Sequence, residues 1–251
     1  MSSKSERQPR RLALRLNLLV LRFARNWLRV VLVVLSVYVA LPFIAPTLMH
    51  LGATGPARAI YTIYSPFCHQ FGFRSFYLFG EQPVYPRAAA ESQWVPYEDM
   101  TRNLPQFERF TVDDEFTLEW SLAHKNFLGN ESMGYKVALC GRDIFIYIAI
   151  LTGGFIYAIP VVRRRLRPVP LLLYVFLGLG PIGLDGFSQL LGYPPFNLWP
   201  PRETLPVFRV LTGAIFGLMS AWLAFPYLEL SMQDARRDIE AKLWRAGVKE
   251  L

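Results

Sequence analysis

The amino-acid sequence predicts an all-α membrane protein: a bundle of about four transmembrane helices, with a re-entrant or surface helical segment and a small extracytoplasmic insert. Three observations lead to this prediction. Hydrophobic residues make up 53 % of the 251 residues, and they gather in runs of about twenty, the length that crosses a bilayer core of ~30 Å. A polar, aromatic stretch interrupts these runs. Most of the 27 lysines and arginines lie in short blocks beside them.

The basic blocks predict topology and not a nucleic-acid partner. They lie in residues 1–29, in residues 163–167 and at the C-terminus. No RNA- or DNA-binding motif accompanies the net charge of +8, whereas lysine and arginine beside transmembrane helices concentrate on the cytoplasmic side. We expect a multi-pass plasma-membrane protein with both termini in the cytoplasm, the lipid bilayer as its partner, and no nucleic acid.

Five regions follow one another along the chain. The first is a basic amphipathic arm, cytoplasmic or interfacial, in which arginines and leucines fall on opposite faces of a helix, as in helices that lie in the headgroup layer. In order, the regions are this arm (1–29), the first transmembrane helix with an outer membrane-associated segment (30–80), an extracytoplasmic polar insert (81–139), a three-helix transmembrane core (140–230) and a cytoplasmic C-terminal helix (231–251). The three core spans are predicted at 142–162, 169–191 and 206–228.

Residues 57–80 are apolar and aromatic, yet they contain Arg58, Pro66 and Arg74. They fit either a full span or a pair of short helices at the outer surface. A full span would place the basic block at 163–167 outside the cell, against the charge bias of membrane proteins. We therefore expect this segment outside or partly embedded.

The polar insert and the C-terminal region carry their own indications. Aromatic residues in 81–139 favour a small folded cap over a disordered linker. Asp113, Asp114 and Glu115 could bind a cation, although such runs are usually solvated faces. Ser231 followed by Asp234 resembles a helix cap and predicts the start of the C-terminal helix.

This topology brings the intramembrane polar residues to one layer. Asp185 lies 16 residues beyond the predicted inner start of the third span, roughly 24 Å along a helix, and so lies near the outer boundary. Gln189 follows one turn further out, Arg142 and Asp143 begin the second span from outside, and Arg209 begins the fourth. Charged groups in a bilayer pair or serve a function. We expect Asp185 to pair with Arg209 or Arg142. The alternative is that these charges only bridge helices.

The two cysteines of the chain belong to the same layer. Cys140 directly precedes the second span, and Cys68 lies in the outer segment beside His69. The residues leave three alternatives open: a disulfide between the cysteines, a metal held by Cys68, His69, Cys140 and Asp143, or neither bond. In each case we expect the two cysteines to lie close together.

Five ordered pieces of sequence carry a family resemblance. They are Cys68-His69-Gln70, Arg74-Ser75-Phe76, Cys140-Gly141-Arg142-Asp143, Pro181 to Gly186 with Gln189, and Arg209 with Thr212-Gly213. In this set the chain resembles DUF2085, a family of uncharacterised bacterial and archaeal membrane proteins. Many members carry a second cysteine where Asp143 stands, which argues against a Cys-x-x-Cys mechanism here. The resemblance implies a shared outer site but no known reaction, and it leaves the cofactor unknown.

Two functions remain open from the sequence. In the first, a polar Cys/His/Arg/Asp site at the outer membrane face binds an anionic lipid, a metal or a redox ligand, with or without enzymatic activity. Its catalytic candidates are Cys68, His69, Cys140 and Asp185, and its ligand-binding candidates are Arg142, Asp143, Gln189 and Arg209. In the second, the protein is a non-catalytic subunit or scaffold that binds partner subunits in a larger membrane complex.

Overall fold

The computed structural model describes residues 7–111, 114–193, 195–245 and 248, with side chains described from residue 12. Asp113, residues 1–6 of the predicted arm and most of residues 246–251 lie outside this part. The helices are α1 (Arg7–His50), α2 (Thr54–Tyr64), α3 (Tyr97–Thr101), α4 (Leu118–Asn126), α5 (Gly141–Ala158), α6 (Pro160–Arg165), α7 (Leu171–Leu173), α8 (Gly180–Leu190) and α9 (Pro206–Arg245). The strands are β1 (Ser75–Leu78), β2 (Gly129–Asn130) and β3 (Gly134–Cys140).

Four helical stretches are long and apolar enough to cross a membrane, as the sequence predicted. They are Leu12–His50, Gly141–Ala158, Leu171–Leu190 and Pro206–Arg245. The third of them joins α7 and α8 through a π-helical turn at Tyr174–Leu179. The chain is mostly helical, and this composition fits a membrane location.

The helices α1 and α9 each continue through a position where the sequence predicted a boundary between regions. The basic arm runs into the first span as one helix, α1, and the fourth span continues through Ser231 as α9. The helix start predicted at Ser231 is therefore wrong. The physical reason is that the apolar stripe continues into both basic ends, where Leu21 of α1 packs with Ile239 and Leu243 of α9. That the arm lies in the headgroup layer stays a prediction.

Glycines let the second and fourth spans approach closely. A Cβ atom on Gly213 would lie 2.6 Å from the carbonyl oxygen of Arg142, and one on Gly217 would collide with the carbonyl oxygen of Ile146. Small residues at such crossings let two helix backbones pack together in a membrane. Gly213 and Gly217 therefore let α9 pack closely against α5. Gly183, by contrast, has no atom within 4 Å of its would-be Cβ.

The all-α prediction is wrong in one part, because a small antiparallel sheet with strand order β1-β3-β2 caps the helices. Six of the seven residues of β3 are buried. An apolar run buried on both faces has no alternation to distinguish it from the start of a span, which explains why the sequence did not predict it. Residues 57–80 form α2 and β1 instead of a spanning helix. Ser75 pairs with Cys140 across the sheet.

The insert at 81–139 folds around an aromatic core, as its composition predicted. Arg87 lies at its edge and pairs with Glu98 at 2.9 Å and with Glu115 at 2.5 Å. His124 is buried in this core, and burial, aided by the nearby charges of Arg87 and Lys136, lowers its pKa to about 3. It is therefore a neutral structural residue. The side of the membrane on which the insert lies stays a prediction.

Candidate functional site

The two cysteines meet at the base of the sheet. Cys68 lies in the loop after α2, and Cys140 is the last residue of β3, directly before α5. Their sulfurs are 2.7 Å apart, and both side chains are buried. The predicted closeness of the two cysteines is thus confirmed, although the sequence placed them 72 residues apart.

Backbone groups hold the sulfur of Cys68. The amide N–H of Gln70 donates to it at 3.3 Å, and the amide N–H of Cys140 donates at 3.2 Å. These two donors fix the position of the Cys68 sulfur beside Cys140.

The loop that presents Cys68 is fixed by the buried side chain of Gln70. Its amide nitrogen donates to the carbonyl oxygens of Tyr61 at 2.9 Å and of Ala138 at 2.8 Å, bridging α2 and β3. The backbone φ of Gln70 is 54°, in the left-handed region. This conformation costs a non-glycine residue free energy, so surrounding contacts must stabilise it. Gln70 therefore positions Cys68 against Cys140.

A buried lysine supports the same loop. The ammonium of Lys136 donates to the carbonyl oxygen of Gln70 at 2.6 Å and to that of Lys125 at 2.7 Å. The side chain is inaccessible to solvent, and burial lowers the pKa of Lys136 to about 7. The sequence reasoning missed this residue, although a lysine within an otherwise apolar strand is the kind of exception that indicates a special role.

The two thiols differ in acidity. The hydrogen bond donated by Cys68, together with the charges of Arg74 and Arg209, lowers the pKa of Cys140, and burial opposes this shift. The same hydrogen bond and burial raise the pKa of Cys68. Because the thiolate is the nucleophile in thiol chemistry, Cys140 is the sulfur better prepared to attack.

The four predicted metal ligands are only partly brought together. Asp143 lies with Cys68 and Cys140 so that one carboxylate oxygen and the two sulfurs are all within 4.8 Å of one another. His69 is instead exposed, and its ring stacks on Phe71 with centroids 5.5 Å apart. The set that meets therefore offers two sulfurs and one oxygen, without the imidazole.

Beside the cysteines lies an ion cluster at the ends of the spans that are next to the sheet. Asp185 pairs with Arg142, one of the two partners predicted from the sequence. Asp185 also accepts hydrogen bonds from Arg202 at 3.2 Å and from the hydroxyl of Thr204 at 2.6 Å. Gln189 is buried and bonds to the Thr204 hydroxyl. Two spans, through α5 and α8, and the loop before α9 therefore meet at these side chains.

The second half of the cluster is built on Glu203, which the sequence reasoning missed. Its buried carboxylate pairs with Arg209 and, at 2.5 Å, with Arg74. Arg209, the other predicted partner of Asp185, is thereby occupied by Glu203. Burial opposes ionisation, but the two arginine charges outweigh it and lower the pKa of Glu203. The excess of arginines over intramembrane acids could have indicated that a loop carboxylate was still required.

The cysteine pair and the ion cluster are adjacent. Arg74 directly precedes Ser75, whose backbone pairs with Cys140, and Arg142 follows Cys140 by two residues. A cavity between Arg74, Gly141, Thr204 and Arg209 measures about 10 Å³, room for roughly one water molecule. The arginines in this arrangement bind carboxylates of the chain itself.

Comparisons with known proteins agree with the family resemblance. The family described as a predicted membrane protein, DUF2085, matches residues 131–223. An uncharacterised protein of Methanocaldococcus jannaschii is 23 % identical over 208 residues, which is 80 % of this chain and 92 % of that protein. No solved structure matches the chain. The family match covers Cys140, Arg142, Asp143, Asp185 and Arg209, and it begins after Cys68.

Proposed function

We propose that this membrane protein carries a thiol–disulfide redox site, in which Cys68 and Cys140 interconvert between two thiols and one disulfide. The separation of 2.7 Å between the sulfurs carries the proposal. A disulfide requires about 2.05 Å, whereas two thiolates on one tetrahedral zinc ion, with Zn–S near 2.3 Å, lie roughly 3.8 Å apart. Two sulfurs in direct contact need little movement to form that bond.

The reaction follows thiol–disulfide exchange. The Cys140 thiolate attacks one sulfur of an external disulfide, forms a mixed disulfide and releases one external thiolate. The sulfur of Cys68 then attacks Cys140 of the mixed disulfide, closes the internal bond and releases the second external thiolate. The external disulfide takes up two electrons and, with the protons of the two cysteines, leaves as two thiols.

Neighbouring residues supply proton transfer and charge. Asp143, with its oxygen within 4.8 Å of both sulfurs, accepts the proton of Cys68 as that thiol attacks. Arg74 and Arg209 favour negative charge on Cys140. Asp185 and Arg142 serve the site by holding the start of α5, which carries Asp143, against the other spans.

We place this site at the outer membrane face of a multi-pass plasma-membrane protein, with both termini in the cytoplasm and residues 81–139 outside. The three basic blocks support that orientation through the positive-inside rule. An extracytoplasmic location supplies the oxidising surroundings in which disulfides form and persist.

The alternative function is a non-catalytic subunit of a membrane complex. One observation favours it: the span Leu171–Leu190 is the least buried of the four candidate spans, so most of its surface faces lipid or another protein. A stoichiometric partner in complexes purified under mild detergent, combined with no change in activity or assembly when both cysteines are serine, would support this alternative over the redox site.

A redox titration of the full chain in membranes tests the proposal. Membranes are equilibrated in glutathione buffers of increasing potential, and the free thiols are then alkylated with a mass tag. We expect the cysteine pair to change reversibly between two thiols and one disulfide across these buffers. Cys68→Ser and Cys140→Ser, each leaving one cysteine, are the matched controls and should show no two-thiol transition.

A substitution of Asp143 tests its proposed role as proton acceptor. Asp143→Asn should slow oxidation by glutathione disulfide most strongly at neutral pH while leaving the midpoint of the titration nearly unchanged. A pair that stays reduced across all buffers, or one that binds a stoichiometric metal and resists oxidation until the metal is chelated, would contradict the redox site.

A further inference from the structure

A basic groove lies at the opposite ends of the spans from the cysteine site. It has a volume of about 930 Å³ and runs between α6, the loop after α6 and the middle of α9. That volume is within the range of sites for small molecules. Its walls carry Tyr157, Arg163, Arg164, Arg165, Arg167, Pro226, Glu229 and Leu230, among others.

Among the described residues, one of the four groove arginines is paired with a carboxylate. Arg163 donates to Glu229 through Nε at 3.1 Å and Nη2 at 2.6 Å. Glu229 is further occupied by the indole N–H of Trp27 at 2.9 Å and by the amide of Gln233 at 2.9 Å. In the described parts of the chain, no carboxylate lies within ion-pair distance of the other three groove arginines. The groove thus has an excess of positive charge.

The loop that carries these arginines is held against α9. The indole of Trp222 on α9 donates to the carbonyl oxygen of Arg167 at 3.0 Å and fixes the loop against the fourth span. The groove lies between the end of α5 and the start of the third span, at the ends of two candidate spans, where lipid headgroups would meet them. Aromatic and aliphatic residues line its membrane side: Tyr157, Leu166, Pro226 and Leu230.

We propose that this groove binds a phospholipid with an anionic headgroup. Guanidinium groups recognise phosphate oxygens with paired N–H donors, and basic pockets between transmembrane helices on the cytoplasmic side are suited to anionic headgroups. The apolar side of the groove contacts the first carbons of the acyl chains, which free phosphate lacks. Charge complementarity and the mixed lining together select a lipid over a soluble anion.

Native mass spectrometry of the full chain in detergent tests the proposal with three probes: phosphatidylglycerol, phosphatidylcholine and inorganic phosphate. We expect phosphatidylglycerol to bind the unmodified protein at least tenfold more tightly than phosphatidylcholine, and its affinity to fall with added salt. Inorganic phosphate at equal concentration should not displace the lipid.

The variant that tests the groove replaces Arg164, Arg165 and Arg167 by glutamine. Each arginine near an anionic headgroup contributes about fivefold in affinity, so the triple variant should bind phosphatidylglycerol roughly a hundredfold more weakly. A control with the same loss of charge replaces the exposed Arg58, Arg102 and Arg109 by glutamine, and its affinity should change less than fivefold. A triple lysine variant at the groove keeps the charge that orients the chain and should retain most of the binding.

Three results would overturn the proposal. The first is equal affinity of the unmodified protein for phosphatidylglycerol and phosphatidylcholine. The second is equal binding by the glutamine variants at the groove and at the control positions. Displacement of phosphatidylglycerol by equimolar phosphate would also reject the lipid, because the groove would then be a site for soluble phosphate.

Discussion

Glu203→Gln should destabilise the outer ends of the spans more than any other single loss of charge on the predicted outer face. The glutamine keeps the size of the side chain and its hydrogen bond from Tyr193, which is 3.1 Å long. It removes only the negative charge. Arg74 and Arg209 then remain close together without a carboxylate, and Arg209 is buried.

The magnitude follows from that geometry. Removing one partner of a buried ion pair costs about 3–5 kcal/mol, because the remaining charge stays desolvated. Such a loss lowers the unfolding temperature by on the order of 10 °C for a chain of this size. The lost stability must also depend on pH. Because the arginines lower the pKa of Glu203 in the folded protein, its contribution is present above the ordinary glutamate pKa and is lost as pH falls through the lowered value.

Thermal unfolding in mild detergent, followed by tryptophan fluorescence, measures this effect. The unmodified protein and Glu203→Gln should differ most near pH 7 and converge below about pH 4. Glu131→Gln serves as the control, because Glu131 is exposed on a turn of the insert. Equal unfolding temperatures for the two variants at pH 7, or a difference that does not shrink in acid, would refute the reasoning.

Three further predictions concern other parts of the fold. Gly217→Ala should reduce the yield of folded protein in membranes because its methyl group collides with α5, whereas Gly183→Ala should be neutral or stabilising by up to about 1 kcal/mol. Asp185→Asn should lower the unfolding temperature more than Asp238→Asn at an exposed position of α9, and equal temperatures would count against the ion cluster. Between about pH 7 and its ordinary pKa of 10.5, Lys136 binds fewer protons in the folded protein than in the unfolded chain. The free energy of unfolding should therefore rise with pH over that window. In Lys136→Met this rise should be absent, which thermal unfolding at pH 7 and pH 9 would measure.

The sequence predicted the helical framework because bilayer thickness sets a length that can be counted along the chain. It also placed Asp185, Arg142 and the two cysteines in one layer, since the depth of a residue in a span follows from 1.5 Å per residue. That shared depth predicted the contact between the cysteines and gave Arg142 as one of two possible partners for Asp185.

The depth of a residue along its span does not determine how the helix is rotated about its axis or how the neighbouring loop folds. Whether Arg209 pairs with Asp185 or with Glu203 depends on which way α9 faces and how the loop before it folds back. His69 was expected at the site with its neighbour Cys68, but its side chain is exposed and its ring stacks on Phe71 instead. The strand β3 was missed because its burial on both faces removes the alternation that identifies strands.

The state of the two sulfurs in native membranes tests the central claim most directly. Thiol exchange would be stopped with acid in unreduced membranes, and free thiols would then be alkylated at neutral pH in denaturant. The peptides containing Cys68 and Cys140 would be identified by mass spectrometry. We predict one cross-linked peptide pair after exposure to glutathione disulfide and two separately alkylated peptides after exposure to reduced glutathione. Separate, alkylated cysteines under both conditions would contradict the account.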